Sequence, residues 1–416
     1  MLLLFPLAWL QGLVTERTQL REQAIATVAR GWGGRQMVSG PVIAIPVTET
    51  HSDGRSSTAD WYVLPESMEL NAQITVQDER RKLGVYEVPV YVSTVHITGR
   101  FDLEREIAKF TGGNESLRVH ADRAVLLLPL SDPRGVRDIK LSETTLTSVA
   151  LEPWRGFPMA ALAAPLRSDV DLNKGKQAFD LTLQIAGTQS LSFLPLAHTS
   201  RVNLRGNWPT PGFASGFLPV ERHVQSEHFD ATWQVLDLNR SYGARWMEGQ
   251  IPMSDLQDSA FGVDLVQPVD LYQQSERAVK YAGVFIGLSF LTLFIWEHLM
   301  HRPVHPIQYG LMGLALSVFF LLLLALAEHL GFGLAYVLAA LALCTLLGIY
   351  IAGAMNSRSS GTAATSLFGL LYGLLYLLVT SDDYALLAGA LGLFAVLAAA
   401  MVLTRRINWY ETADGS

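Results

Sequence analysis

Cysteine is almost absent from this chain: Cys344 stands alone among 416 residues. No disulfide can form within the chain, and no cysteine-based zinc site is available to it. Signatures of common chemistry are missing too. There is no Gly-x-Ser-x-Gly elbow, no Walker loop and no dinucleotide fingerprint. Without a nucleotide motif an active pump is disfavoured, and no cofactor is expected. An excess of basic residues is also lacking. The net charge is −7, which gives no reason to expect a nucleic-acid partner. The last third of the chain has the fewest charges of all. Its apolar runs hold a single formal charge, Lys280, at the margin of the first. A proton-coupled transporter normally needs carboxylates inside its helices, and these runs have none.

What fills that third is five long apolar runs: Val279–Trp296, Ile307–Ala327, Leu334–Ala354, Ala363–Val379 and Tyr384–Leu403. Each is close to the roughly 20 residues a helix needs to cross ~30 Å of hydrocarbon. The polar stripe of a soluble surface helix is missing from them. They predict a bundle of five transmembrane helices over 278–404, whose first partner is the lipid bilayer. The mean hydropathy of +0.26 therefore averages a lipid-soluble part with an ordinary polar one.

Arginine marks the sides. Arg302, Arg358 and the Arg405-Arg406 pair fall in alternate connections, whereas Glu328–Gly333 and Thr380–Asp383 carry neither Lys nor Arg. The positive-inside rule then puts Arg302, Arg358 and the tail 405–416 in the cytoplasm. The large polar part lies on the other side, the periplasm of a Gram-negative cell. Arg277 and Lys280 pull the other way, but large domains translocate largely regardless of charge. Export needs an N-terminal signal, and Met1–Val14 is the candidate. It is short, holds Pro6 and has no basic residue before it, which reads as an uncleaved anchor with a truncated start rather than a cleavable peptide. Residues 15–30 continue as a polar helix.

Between 31 and 277 the period changes. Val42–Val47 and Ala124–Leu130 are short apolar strand candidates; Tyr91–Phe101, Phe179–Ile185 and Phe229–Val235 alternate. Turn clusters at Asp132–Gly135 and Gly206–Gly212 punctuate them, as in an all-β sandwich-like domain. Leu64-Pro65 and Leu194-Pro195 each open a similar stretch, so an internal duplication is one reading and chance likeness among strands the other. The fold expected is an α+β membrane protein: an all-β domain inserted between an N-terminal transmembrane helix and the five-helix bundle.

Two polar clusters invite a chemical reading. Glu297, His298, His301 and His305 surround Arg302 at the cytoplasmic edge, but their spacing is not that of a His-Glu-x-x-His zinc helix. A helix end with a positive-inside anchor explains them more simply. Glu328-His329 closes the next run on the outer side. The pair would relay protons or bind a ligand, or it is a polar helix terminus with the imidazole near the negative end of the dipole. Glu328, His329, Arg302 and His305 are the interaction candidates. No catalytic or metal-binding residue is assigned. Gly283-x-x-x-Gly287 and Gly369-x-x-x-Gly373 offer close helix approach, more within the chain than between copies.

Several motifs occur in a recognisable order: Ser39–Thr48, Leu64–Glu66, Arg81–Tyr86, Asp132–Gly135, Asn207–Pro209, Gly216–Pro219, Arg277–Tyr281, Arg302–Tyr309, Ala327–Gly331 and Asn408–Tyr410. On these the chain resembles the CreD family of bacterial inner-membrane proteins, over nearly its whole length. The resemblance implies an inner-membrane location, a periplasmic domain and a part in cell-envelope integrity and stress response linked to colicin tolerance. It supplies no catalytic residues. A non-enzymatic role follows, through contacts with lipid, other envelope proteins or envelope polymers. The competing reading is a membrane-embedded enzyme or a lipid or solute handler. It would use a polar cavity near Glu328 and His329, with the Asp132–Gly135 turn beside it.

Overall fold

The computed structural model describes residues 4–77, 81–83, 86–112, 116–142, 146–147, 151–154, 157, 159–167, 170, 175–213, 216–243, 245–250, 253–265, 271–300, 304–381 and 385–405. Arg302, His301, Asp382, Asp383, Arg406 and the Asn408–Tyr410 motif lie outside them. The chain divides into two compact units, one of residues 23–268 and one of residues 1–22 with 269–416.

The first unit is built on a seven-stranded sheet. Its spatial order is Val136–Leu141, Lys176–Thr188, Val90–Asp102, Ser67–Val76, Thr199–Gly206, Phe229–Leu236 and Glu221–Val224. Neighbours run antiparallel except at the centre, where Ser67–Val76 and Thr199–Gly206 are parallel, from Thr199 opposite Ser67 to Gly206 opposite Ile74. These two central strands are the ones that follow Leu64-Pro65 and Leu194-Pro195. Both alternate buried and open residues, so one face meets the core and the other water. On the wet face Asn203 donates to Asn71 at 2.9 Å.

A second sheet runs Glu152–Trp154, Ala161–Pro165, Val125–Pro129, Val42–Thr50, Ser56–Val63 and Arg245–Met247. It shares one core with the first: Ile43, Ile45, Leu126 and Leu128 join Leu70, Ile97, Leu183 and Trp233. Its other face, with Val42, Ala44, Tyr62, Leu127 and Trp246, is buried together with Phe157, Leu196 and Leu256. Burial on both faces explains why Val42–Val47 and Ala124–Leu130 read as unbroken apolar runs while the first sheet's strands alternate. A third sheet of four strands runs Gln36–Ser39, Ser190–Leu194, Phe261–Leu265 and Pro211–Gly212.

The unit is not all-β, contrary to the expectation above. Helix α1 (Leu4–Trp32) enters it; α2 (Leu103–Thr111) and α3 (Met253–Asp258) lie within it. The α2 segment follows directly on a strand, and its start is set by a cap. Asp102 Oδ1 accepts from the Arg105 N–H at 3.3 Å, and Gly112 closes the helix in the left-handed region.

The second unit holds the long helices α4 (Leu271–Met300), α5 (Pro306–Leu330), α6 (Phe332–Ala354), α7 (Arg358–Thr380) and α8 (Ala385–Thr404). The described part of each expected run falls inside one of them. Among the described residues four segments are long and apolar enough to cross a membrane: Tyr272–His298, Pro306–Leu330, Phe332–Ala354 and Arg358–Thr380. One residue, Gly331, joins α5 to α6 at φ +77°, a conformation open to glycine and strained for other residues. At the other end of the chain, α1 is a single helix through both the expected anchor and the expected polar segment. Its Leu10 and Val14 are buried in the same core as Ala278 and Ala282 of α4.

The expected glycine contacts are not those the fold uses. A Cβ added at Gly283, Gly287, Gly369 or Gly373 would meet open space. The tight approach joins α6 to α7 instead. There Gly348 faces Thr365, and a Cβ on Gly361 would lie 2.6 Å from the Ala352 Cβ. Spacing alone does not say which helix face turns inward.

Candidate functional site

Glu328 lies in the last turn of α5. A carboxylate there opposes the helix dipole and needs compensation. Two groups supply it. Arg17 Nε of α1 stands 3.5 Å from Glu328 Oε1, and the Tyr272 hydroxyl of α4 donates to the same oxygen at 3.4 Å. The Glu328 side chain is 10% exposed against 41% for Arg17, so the acid is sheltered and the base is half in solvent. Helical spacing puts them there. Leu10, Val14 and Arg17 follow one another by four and three residues on one face of α1, so burial of the first two brings the third to the end of α5. In α4, Tyr272, Ser275, Ala278 and Ala282 form the corresponding buried face.

His329 turns the other way and is exposed. The structure thus brings Glu328 to Arg17 and Tyr272 and leaves its sequence neighbour outside. Neither partner was readable beforehand. Arg17 sits at the opposite end of the chain, and the only hint was a basic residue one turn after an apolar anchor.

The cluster at the other end of α4 is a capping device. The Tyr309 hydroxyl donates to Glu297 Oε2 at 2.5 Å and the Val304 N–H to Oε1 at 2.9 Å, so both carboxylate oxygens are taken. His305 caps α5: its Nδ1 accepts from the Ile307 N–H at 3.3 Å, and its own N–H donates to Gln308 Oε1 at 3.0 Å. His298 Nδ1 donates to the Phe294 carbonyl at 3.0 Å. Arg302 lies outside the described residues. Among the described residues no three His, Cys, Asp or Glu side chains come together as a metal shell would require.

The Asp132–Gly135 turn belongs to the sheet-rich unit. Asp132 Oδ2 accepts from the Gly34 N–H at 3.0 Å, just beyond the end of α1, while Arg134 grips both oxygens at 2.8 and 3.0 Å. Burial pushes the Asp132 carboxyl up, but the bonds from the Arg134 side chain and from the Gly34 and Arg134 N–H groups outweigh it and leave the pKa below the ordinary range. Trp32, the last residue of α1, donates from its indole to the Tyr91 carbonyl at 3.2 Å and lies under the Arg137 guanidinium. This turn is a weld, with its polar atoms spoken for.

A third cluster did not stand out in the sequence. His198 Nδ1 donates to Asp237 Oδ2 at 2.8 Å, and its Nε2 lies 3.6 Å from Glu106 Oε1, which also pairs with Lys109. The His198 hydrogen bond holds the Asp237 carboxyl below its usual range. Glu106 comes from α2 and Asp237 from the end of a core strand, so His198 ties the two elements together.

Comparison with known proteins bears on the whole chain. A family model described as "Inner membrane protein CreD" matches residues 1–410. The protein named "Inner membrane protein CreD" from Escherichia coli strain K12 is 33% identical over 421 residues, spanning 99% of this chain and 91% of that protein.

Proposed function

The chain belongs to the CreD family of inner membrane proteins, and we propose from that premise that it serves cell-envelope integrity as a non-enzymatic scaffold. In this reading α1 and α8 cross the membrane with α4 to α7, giving six spans. The arginine-bearing connections face the cytoplasm, and the sheet-rich unit stands in the periplasm. It acts there by contact with lipid, envelope polymers or other envelope proteins.

One observation carries the choice of scaffold over handler. The Glu328 carboxylate is engaged by Arg17 and Tyr272 from two other helices. It does the work of a brace joining α1, α4 and α5 rather than that of a free acid awaiting a substrate. A sheltered ion pair of this kind is costly to break on one side, whereas exchanging the two charges keeps the pair.

The test follows from that asymmetry. In cells dependent on this protein under envelope stress, Arg17→Glu should lower its steady-state level. The double swap Arg17→Glu/Glu328→Arg should restore both level and protection. Glu328→Gln with His329→Ala should lower the level as well, with protection falling only in proportion to it. Loss of protection at unchanged protein level in either double variant would refute the scaffold and favour an enzyme or a lipid or solute handler.

A further inference from the structure

The four-stranded sheet of the first unit has a concave face enclosing about 350 Å³, within the roughly 300–1,000 Å³ typical of small-ligand sites. Strand register orders its floor. Met37 lies opposite Ser192, and Ser192 opposite Gly262. In the next row Ser190 lies opposite Asp264, and Arg35 precedes the Gln36–Leu191 pair, which sets it beside Ser190. All six residues line the cleft. The alternate residues Leu191 and Phe193 are fully buried on the other side.

Several features keep this face open and leave polar groups along it. Gly262 sits at φ +157°, where a Cβ would run into the Leu191 carbonyl, so no side chain can fill the floor. Gln189 takes φ +64°, a region that residues other than glycine avoid. It thereby accepts from Arg35 Nε at 3.1 Å through its side chain and from the Leu265 N–H at 2.7 Å through its carbonyl. Arg35 is thus held by Nε, and its terminal nitrogens have no partner among the described residues. The Ser190 and Ser192 hydroxyls and the Asp264 carboxylate make no hydrogen bond among the described residues either, and Asp264 feels Arg35 only through space. Burial pushes the Asp264 carboxyl up, and Arg35 only partly offsets it: the acid is desolvated without a bonded cation.

We propose that this face binds a short peptide with free ends. Its terminal carboxylate docks on the Arg35 fork, its terminal ammonium on Asp264, and its amide groups on the two serine hydroxyls. Asp264 stands two strands away from the strand that Arg35 leads into, a backbone spacing of about 10 Å at ~4.8 Å per strand. An extended chain covers ~3.3–3.6 Å per residue, so the length selected is about three residues. Opposite charges at the two ends make recognition directional.

The experiment is calorimetric titration of the full-length protein in detergent with trialanine, N-acetyl-trialanine and trialanine amide. The expected result is saturable binding of trialanine, weakened at least tenfold by either blocked end. Asp264→Asn should weaken trialanine by a similar factor yet leave N-acetyl-trialanine where it was; Arg35→Gln should do the same for the amide. If a variant fails to fold, the blocked peptides on the unaltered chain decide alone. No saturable heat, or binding indifferent to end-blocking, overturns the proposal.

Discussion

Glu66 and Arg100 hold each other twice: the Glu66 N–H donates to the Arg100 carbonyl at 2.9 Å, and Arg100 Nε donates to Glu66 Oε2 at 2.7 Å. The contact pins the start of one central strand to the end of its antiparallel neighbour. Lys176, from the strand beyond, reaches the same carboxylate at 2.8 Å. Three strands are thus tied at one end by a single acid.

That acid predicts a pH dependence. The Lys176 ammonium, then the Arg100 guanidinium, hold the Glu66 carboxyl at about 2, below its ordinary 4.5. A depressed carboxylate stabilises the fold above its unfolded pKa, and the gain disappears as pH falls from about 4.5 through about 2. Glu66→Gln should therefore cost ~1 kcal/mol at neutral pH, a partly screened network's worth. The difference from the unaltered protein should shrink to nothing by the acid end of that window. Thermal unfolding of both proteins in detergent across that range measures it. A gap that stays constant with pH would contradict the assignment.

The Asp132 weld gives a second expectation. Asp132→Ala strips the Gly34 N–H and the Arg134 fork of their acceptor at a half-buried joint, a loss of ~1–3 kcal/mol. Asp132→Asn keeps one carbonyl oxygen and should lose less. Proteolysis between α1 and the first strand should accelerate in the same order, readable by gel from the time course of cleavage near Gly33. Equal stability of all three proteins would show that the turn is only a connector.

These two sites mark how far the sequence could be read. The strand candidates Val42–Val47, Tyr91–Phe101, Phe179–Ile185 and Phe229–Val235 each lie within one observed strand, because alternation and β-branched runs are local signals. The apolar runs of the last third are helical where described, for the same reason. Helix α2 was missed because it starts one residue after a strand ends, with no loop between them to mark a change of period. Pairings distant in sequence left no trace. Nothing local in Arg17, Tyr272 or Glu328 says that three helices bring them together, and the Arg35–Ser190–Asp264 row exists only once strand register is known. His305 and Glu297 were legible as residues of a helix end but not as caps, since capping depends on which backbone groups the turn leaves free.

The glycines of α6 and α7 separate packing from mere frequency. Gly361→Val places a side chain against Ala352 and within 2.7 Å of the Gly348 carbonyl, counted from the Cβ alone. Overpacking of this kind costs ~1–3 kcal/mol, so the melting temperature should fall clearly. Gly369→Val and Gly373→Val meet open space and should leave it nearly unchanged, with valine's small helix penalty largely offset by the loss of glycine's. A drop at Gly369 or Gly373 as large as at Gly361 would mean that this face of α7 is covered by a second copy or another protein.

Topology is the last expectation, and Cys344 makes it accessible. This sole cysteine is buried in the core of the helical unit, so it should resist maleimides in the native membrane and react only after denaturation. Single cysteines placed elsewhere then report their own side. Ser57→Cys and His223→Cys sit at exposed strand positions of the sheet-rich unit. Both should label with an impermeant maleimide once the outer membrane is opened. Arg358→Cys, at the start of α7, should label only when the inner membrane is breached. Arginines on alternate connections make this the expected pattern, since each is costly to translocate next to a helix end. Labelling of Arg358→Cys from outside together with protection of Ser57→Cys would invert the protein and remove the sheet-rich unit from the compartment where it is proposed to act.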